Sequence, residues 1–166
     1  MIRLLTPQLL VESVLELTPH RLGTLGVTAL LLDVDCTLKR YREPTIGTAV
    51  AEWLVGLQAA GIRACLVSNG RGRRIGRCAD QLGVPFVCQA CKPLPLGCYA
   101  ALRKLGVSRQ EAAMVGDQVF ADVIAARLCG LVSILVRPIH PEEEPWFTRL
   151  KRPLEQWVVR TLGGYR

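Results

Sequence analysis

The stretch Val27-Thr28-Ala-Leu-Leu-Leu32-Asp33-Val-Asp35-Cys-Thr37-Leu38 decides the fold of this 166-residue chain. Residues 28–32 form a near-continuous apolar run, the pattern of a parallel strand covered on both faces. Such a strand ordinarily ends in a small or turn-forming residue, yet this one runs into two carboxylates one residue apart. Charge is thereby placed at the carboxyl edge of a sheet, where open α/β folds bind ligands. Like charges this close repel unless a cation lies between them or one takes a proton. The pair asks for a metal, a proton-transfer role, or both.

Working outward, apolar strand-like runs alternate with helical periodicity, the signature of a parallel sheet with crossover helices. Strands are expected near 27–33, 62–68, 84–88, 112–116 and 131–136. Between the first two, Ile46, Ala49, Val50, Trp53, Leu54 and Leu57 form one apolar stripe that ends at Gly61. Ile75, Cys78, Ala79 and Leu82 repeat the stripe before Gly83, and Cys98, Ala101, Leu102 and Leu105 before Gly106. Ser108-Arg-Gln-Glu111 reads as a capping box on a short turn. The expected architecture is a three-layer, doubly wound (Rossmann-like) α/β fold over residues 1–166, with a five-stranded parallel sheet.

Two terminal segments flank it. Residues 1–26 carry Leu10, Val14 and Leu17 on one amphipathic face. Residues 142–166 form a basic helical segment, in which Trp146, Phe147, Leu150, Leu154, Trp157, Val158 and Leu162 mix with Arg149, Lys151, Arg152 and Arg160. Pro153 should kink or split this segment. A basic helix with tryptophans can lie on a membrane surface or pack its stripe on the domain, and a wide stripe allows both.

The net charge of +7 favours an anionic partner: a phosphorylated metabolite, a lipid surface or a nucleic acid. Aromatics make up only 5% of the chain, which argues against recognition of single strands by base stacking. Met1–Leu10 lacks a basic region followed by a long apolar core, and the seven cysteines are scattered through apolar segments. A cytoplasmic protein with reduced thiols is expected, with peripheral contact at a membrane surface left open. Cys88-x-x-Cys91 has zinc spacing, with Cys78 or Cys98 as candidate helpers, but no second pair matches it. No apolar stretch approaches the roughly 20 residues of a membrane span.

A doubly wound sheet gathers its carboxyl ends at one face. There the strands deliver Asp33 and Asp35, then Ser68-Asn69-Gly70, then Lys92-Pro93, and finally Gly116-Asp117 with Asp122 five residues on. Acids, a hydroxyl and a lysine gathered at one edge describe a metal-assisted phosphoryl-transfer site. A carboxylate can attack phosphorus and divide one hard step into two. A hard divalent cation on oxygen ligands relieves repulsion between that nucleophile and an anionic phosphate. A second carboxylate two residues on can protonate the leaving alcohol and then activate water. Backbone N–H groups at the helix after Gly70 make a phosphate cradle, and Ser68 and Lys92 would meet charge on the phosphoryl oxygens.

Asp33-Val-Asp35-Cys-Thr37-Leu, Val67-Ser68-Asn69, Lys92-Pro93 and Gly116-Asp117-x4-Asp122 together resemble the four ordered motifs of the haloacid dehalogenase (HAD) superfamily of phosphatases. Spacing and surroundings are most similar to the small YqeG-type branch, related to phosphatidylglycerophosphate phosphatases, over roughly residues 5–160. The resemblance implies Asp33 as nucleophile, Asp35 as general acid and base, Ser68 as phosphoryl binder and Lys92 as neutralising cation. It implies Mg2+ held by Asp33, the Asp35 backbone carbonyl and Asp117, with Asp122 orienting Lys92 or a metal-bound water. Thr37, Asn69, Gly70, Arg71, Arg40 and Arg42 are the expected substrate contacts. Cys36 departs from the branch, which usually carries Asn there.

Many members of the superfamily insert a cap domain over the site, but neither the interval after Leu38 nor that from Ser68 to Lys92 leaves room for one. An open site suits a bulky or lipid-borne phosphate. Lys39, Arg40, Arg42, Arg71, Arg73 and Arg74 are expected to ring it, since cations at a helix start serve stability poorly. The favoured substrate is phosphatidylglycerophosphate. The alternatives are a sugar, nucleotide or protein phosphate, or an RNA-associated binding module with a vestigial pocket. A nucleic-acid partner is disfavoured because buried charges retained without function are costly.

Overall fold

The computed structural model describes residues 2–164; Met1, Tyr165 and Arg166, the outermost residues of the two terminal segments, lie outside it. The chain begins with α1 (Ile2–Leu5), β1 (Leu9–Val11), α2 (Pro19–Thr24) and β2 (Ala29–Leu32). It continues through α3 (Thr48–Ala59), β3 (Arg63–Val67), α4 (Gly72–Leu82), β4 (Phe86–Val87) and α5 (Leu96–Leu105). The last elements are β5 (Ala112–Gly116), α6 (Ile124–Cys129), β6 (Val132–Val136), α7 (Trp146–Arg149) and α8 (Arg152–Thr161).

All strand pairings among the described residues are parallel, in the order β1-β6-β5-β2-β3-β4. The sheet thus has six strands where the sequence pattern indicated five. The additional strand is Leu9–Val11, which lies at the edge beside β6 with Leu9 against Ile134 and Val11 against Val136. Three residues are too few to display a period of two, so the segment reads equally well as part of an amphipathic helix. At the opposite edge β4 is only two residues long.

The sheet is covered on both faces, and β2 shows how. Leu30 and Leu32 join Leu54, Leu57, Leu66 and Ile75 beneath α3 and α4. Ala29 and Leu31 turn the other way, to Cys65, Cys98, Ala101 and Met114 beneath α5 and α6. Alternate residues of a fully buried strand serve opposite layers, which is why Ala29–Leu32 has no polar member. Gly83 and Gly106 close α4 and α5 at φ of 64°, the left-handed conformation that costs glycine least. Ser108 and Glu111 do form a capping box, on a 3-10 turn leading into β5.

The chain leaves β2 for β3 and β4 on one side and returns to β5 on the other. The crevice between the carboxyl ends of β2 and β5 is therefore the topological switch point, where such sheets bind ligands. Among the described residues no domain is inserted over it: only α4 separates β3 from β4, and only residues 33–47 separate β2 from α3.

Candidate active site

The ends of three adjacent strands and the loop after β4 build one buried cluster. Asp33 continues the β2–β5 ladder by donating its amide to Val115 O at 2.9 Å. Lys92 Nζ spends all three hydrogens inside the cluster: on Asp33 Oδ1 at 2.6 Å, Asp122 Oδ1 at 2.7 Å and Val67 O at 2.8 Å. Its side chain is 2% exposed. Burial works against the ammonium, but Asp122 and Asp33 outweigh it, so the lysine stays charged.

The loop that delivers Lys92 is sharply turned. Gln89 and Cys91 both take positive φ, at 48° and 56°, a left-handed conformation that non-glycine residues adopt at a cost. Asn69 fastens the loop by donating Nδ2–H to Lys92 O at 2.9 Å and accepting the Lys92 amide on Oδ1 at 2.8 Å. Asn69 thus positions the lysine. Cys88 packs on the core, while Cys91 is exposed and donates its thiol to Gln89 O. The Cys88-x-x-Cys91 spacing belongs to this turn, and no cysteine is part of a metal-ligand cluster among the described residues.

Asp122 is presented by a π-helical turn, Val119–Val123, a distortion that recurs at functional sites. Its Oδ2 accepts the Gln118 amide at 3.0 Å. Gly116 makes this approach feasible: a Cβ there would lie 2.2 Å from the Asp122 carboxylate. The glycine before Asp117 is therefore a steric requirement for Asp122.

Asp33, Asp117 and Asp122 each offer a carboxylate oxygen, all within 4.8 Å of one another, and all three residues are buried. Burial pushes the Asp33 carboxyl up to about 8 against the pull of Lys92. It pushes Asp117 up to about 7 against the pull of Arg152. Ionising buried acids at this spacing carries a cost that a cation would offset. An oxygen-only donor set suits a hard divalent ion.

Asp117 also has partners that sequence reasoning missed. Thr37, expected at the substrate, is buried and donates its hydroxyl to Asp117 Oδ1 at 2.8 Å. Arg152, from the start of α8, pairs closely with Asp117 Oδ2 and donates to Asp117 O at 3.0 Å. The rest of its guanidinium is held by both Glu144 oxygens at 2.8 Å and by Glu155 at 3.2 Å. All five donors are used, and α8 is locked to the cluster.

Asp35 stands apart from the three acids. Arg74, from the first turn of α4, grips both its oxygens, and Lys39 Nζ donates to Oδ1 at 3.1 Å. Arg74 is about one-third exposed and its guanidinium lies over the Tyr41 ring. Ser68 is buried, and its Oγ accepts the Gly70 amide at 3.0 Å, leaving the hydroxyl hydrogen to donate. Cys36 takes φ of 60°, a left-handed conformation that Asn tolerates better.

Above the cluster opens a cleft of about 250 Å3, lined by Asp33, Asp35, Ser68, Asn69, Gly70 and Lys92. Tyr41 and Arg74 form one wall; Phe147, Thr148 and Lys151 form another. Asp117 does not line it; it lines a separate cavity with Arg152 and Glu155. The expected basic ring is uneven. Lys39 is interior, with its ammonium also on Glu43 O at 2.7 Å and Arg40 O at 3.1 Å. Arg40 pairs with Glu143, while Arg42, Arg71 and Arg73 are exposed. None of Arg40, Arg42 and Arg71 lines the cleft.

Residues 7–130 match the haloacid dehalogenase-like hydrolase family. The chain is 28% identical over 156 residues to the probable phosphatase YqeG of Bacillus subtilis, covering 94% of this chain and 90% of that one. It is 26% identical over 164 residues to the chloroplastic phosphatidylglycerophosphate phosphatase 1 of Chlamydomonas reinhardtii, covering 93% of this chain and 61% of that one. The cobalt-bound deoxy-D-mannose-octulosonate 8-phosphate phosphatase of Haemophilus influenzae shares the fold. Its TM-score is 0.57 at 14% identity, over 83% of this chain and 90% of that one. An uncharacterized protein from Listeria monocytogenes shares it too, with a TM-score of 0.55 at 18% identity over 72% of this chain and 85% of that one.

Proposed function

This chain belongs to the haloacid dehalogenase-like hydrolases and is a phosphatase, and from that premise we propose that it hydrolyses phosphomonoesters with Mg2+ through an aspartyl-phosphate on Asp33. The observation that carries this reading is the burial of Asp33, Lys92, Asp117 and Asp122 together at the switch point.

In the first step an Asp33 carboxylate oxygen bonds to phosphorus as the ester P–O bond breaks, and Asp35 gives its proton to the departing alcohol oxygen. In the second, water attacks the same phosphorus, Asp35 takes its proton, and the Asp33–phosphorus bond breaks to release phosphate. Before either step Asp35 must exchange its Arg74 partner for substrate, and the substrate's own anion competes for that arginine. Ser68 Oγ, held by the Gly70 amide, turns its hydroxyl hydrogen to the phosphoryl oxygens, while Lys92 fixes the Asp33 oxygen it already holds. Asp33, Asp117 and the Asp35 carbonyl would hold Mg2+, with Asp122 supporting Lys92. The ion would supply charge neutralisation at the phosphoryl group.

Saturating Mg2+ is expected to raise the melting temperature by roughly 5–10 °C. Asp117→Asn should remove most of that gain. Differential scanning fluorimetry with and without the ion reads this directly, and a wild-type melting point unmoved by Mg2+ would count against the site.

For the substrate, a lipid-borne phosphate, phosphatidylglycerophosphate, is favoured. The support is the similarity to a phosphatase named for it and a capless cleft walled on one side by Phe147 and Lys151. Turnover of phosphatidylglycerophosphate in mixed micelles, beside soluble sugar, nucleotide and peptide phosphates, tests this. The lipid should exceed the best soluble substrate in kcat/KM by at least about 100-fold, a transition-state preference of a few kcal/mol. Parity would move the assignment to a soluble phosphate.

A further inference from the structure

The arm formed by α7 and α8 has two faces of opposite use. Inward it buries Arg152, Glu155, Val158 and Val159, the last two on Leu135 and Val123. Outward it carries Trp146, Leu150, Leu154 and Trp157, which are 75%, 75%, 55% and 63% exposed. Leu150 and Lys151, at the joint, keep right-handed helical backbone, so spacings of four, four and three residues align these side chains in one stripe. Pro153, in the first turn of α8, splits the hydrogen-bond ladder there.

The stripe cannot roll inward to hide. The five hydrogen bonds of Arg152 to Asp117, Glu144 and Glu155 fix the rotation of α8, and the inner face is already filled. Four large apolar side chains in one exposed row are unusual on a protein without a partner for them. Their surroundings identify that partner by charge. From Trp146 to Gly164 the sole acid is Glu155, which is buried, whereas Arg149, Lys151 and Arg160 are exposed. A second copy of this chain, itself at +7, would bring these cations against like charge. Tryptophans flanked by lysine and arginine match the boundary of an anionic bilayer.

We propose that the outer face of α7–α8 docks on an anionic lipid surface and presents the active-site cleft to it. The two are continuous: Phe147 and Lys151, at the near end of the arm, also line the cleft. A phosphorylated headgroup in the same leaflet is thereby brought to the site, a consequence that rests on the lipid-substrate reading above; the docking itself does not. Among the described residues no helix is long and apolar enough to cross a membrane, so the arm lies in the surface.

The test is flotation of the full chain with phosphatidylcholine vesicles, pure or containing about a third phosphatidylglycerol. The comparison is a Trp146→Ala/Leu150→Ala/Trp157→Ala variant, whose side chains lie outside the cleft. Wild type should float with the anionic vesicles only, with a blue shift in tryptophan emission and release by high salt. The variant should lose at least about tenfold in vesicle affinity while keeping its melting point and its turnover of a soluble aryl phosphate. Failure of wild type to float, or variant binding equal to wild type, overturns the proposal. So does a dimer in sedimentation velocity that the triple variant dissolves while vesicles are ignored. Micellar phosphatidylglycerophosphate separates the two readings. Turnover without flotation sinks the docking face alone, and flotation without lipid turnover sinks the lipid substrate alone.

Discussion

Asp33→Asn is expected to lower turnover of every phosphomonoester by at least about 10^4-fold, because it removes the attacking oxygen. The fold should survive. Asn is nearly isosteric and keeps a carbonyl oxygen for Lys92, which retains Asp122 and Val67 O as further partners. The same substitution has a second, independent signature in metal-free protein. Burial holds the wild-type Asp33 carboxyl at about 8, against an ordinary 3.8, so between these values the folded state binds more protons than the unfolded chain. Stability from this group is full below about pH 4 and is lost as pH rises toward 8. Asn does not titrate. Chelated Asp33→Asn should therefore lose less stability than wild type across that window, as denaturant midpoints at several pH values will show. Activity within about tenfold of wild type would remove Asp33 as nucleophile.

Arg152→Met should produce the largest loss of stability of any single change in the site. Among the described residues Arg152 is the cation that pairs with Asp117, Glu144 and Glu155 together, and its side chain is 9% exposed. Removing one partner from a buried ionic network costs about 3–5 kcal/mol. For a chain of this size that is a fall of roughly 6–20 °C in melting temperature. The fall should be smaller with Mg2+ present, since on the proposed reading the ion would supply positive charge at Asp117 when the arginine no longer does. Melting curves of both proteins, chelated and with Mg2+, measure the difference. Equal melting points would mean that α8 is held by its apolar contacts alone.

Much of this molecule is legible in its sequence because the informative residues are local. The apolar run before Asp33 can be a buried parallel strand and little else, and the same holds for the run before Asp117. Once those strands are aligned, Ser68, Lys92, Asp117 and Asp122 must meet at one edge, since a doubly wound sheet has only one carboxyl face. What stayed hidden depends on tertiary contact. Leu9–Val11 becomes a strand only because β6 offers it an edge. Lys39 reads as a solvated cation until the turn after Asp35 wraps its ammonium in two carbonyls and a carboxylate. Arg152 is one of five basic residues in its segment, and nothing local marks it as the buried one. Its spacing of three from Glu155 and seven from Val159 places it on the inner face, but the partner that matters, Asp117, lies 35 residues away. The apolar residues of the same segment were a single stripe in the sequence; the structure divides them between core and solvent.

The central claim is that phosphate passes through Asp33. Rapid acid quench of the enzyme during turnover of a 32P-labelled aryl phosphate, followed by peptide mapping, tests it most directly. Label should accumulate before the steady state on the peptide containing Asp33 and be absent from Asp33→Asn protein. Label on any other side chain, or a protein that turns over substrate without ever carrying phosphate, would contradict the account.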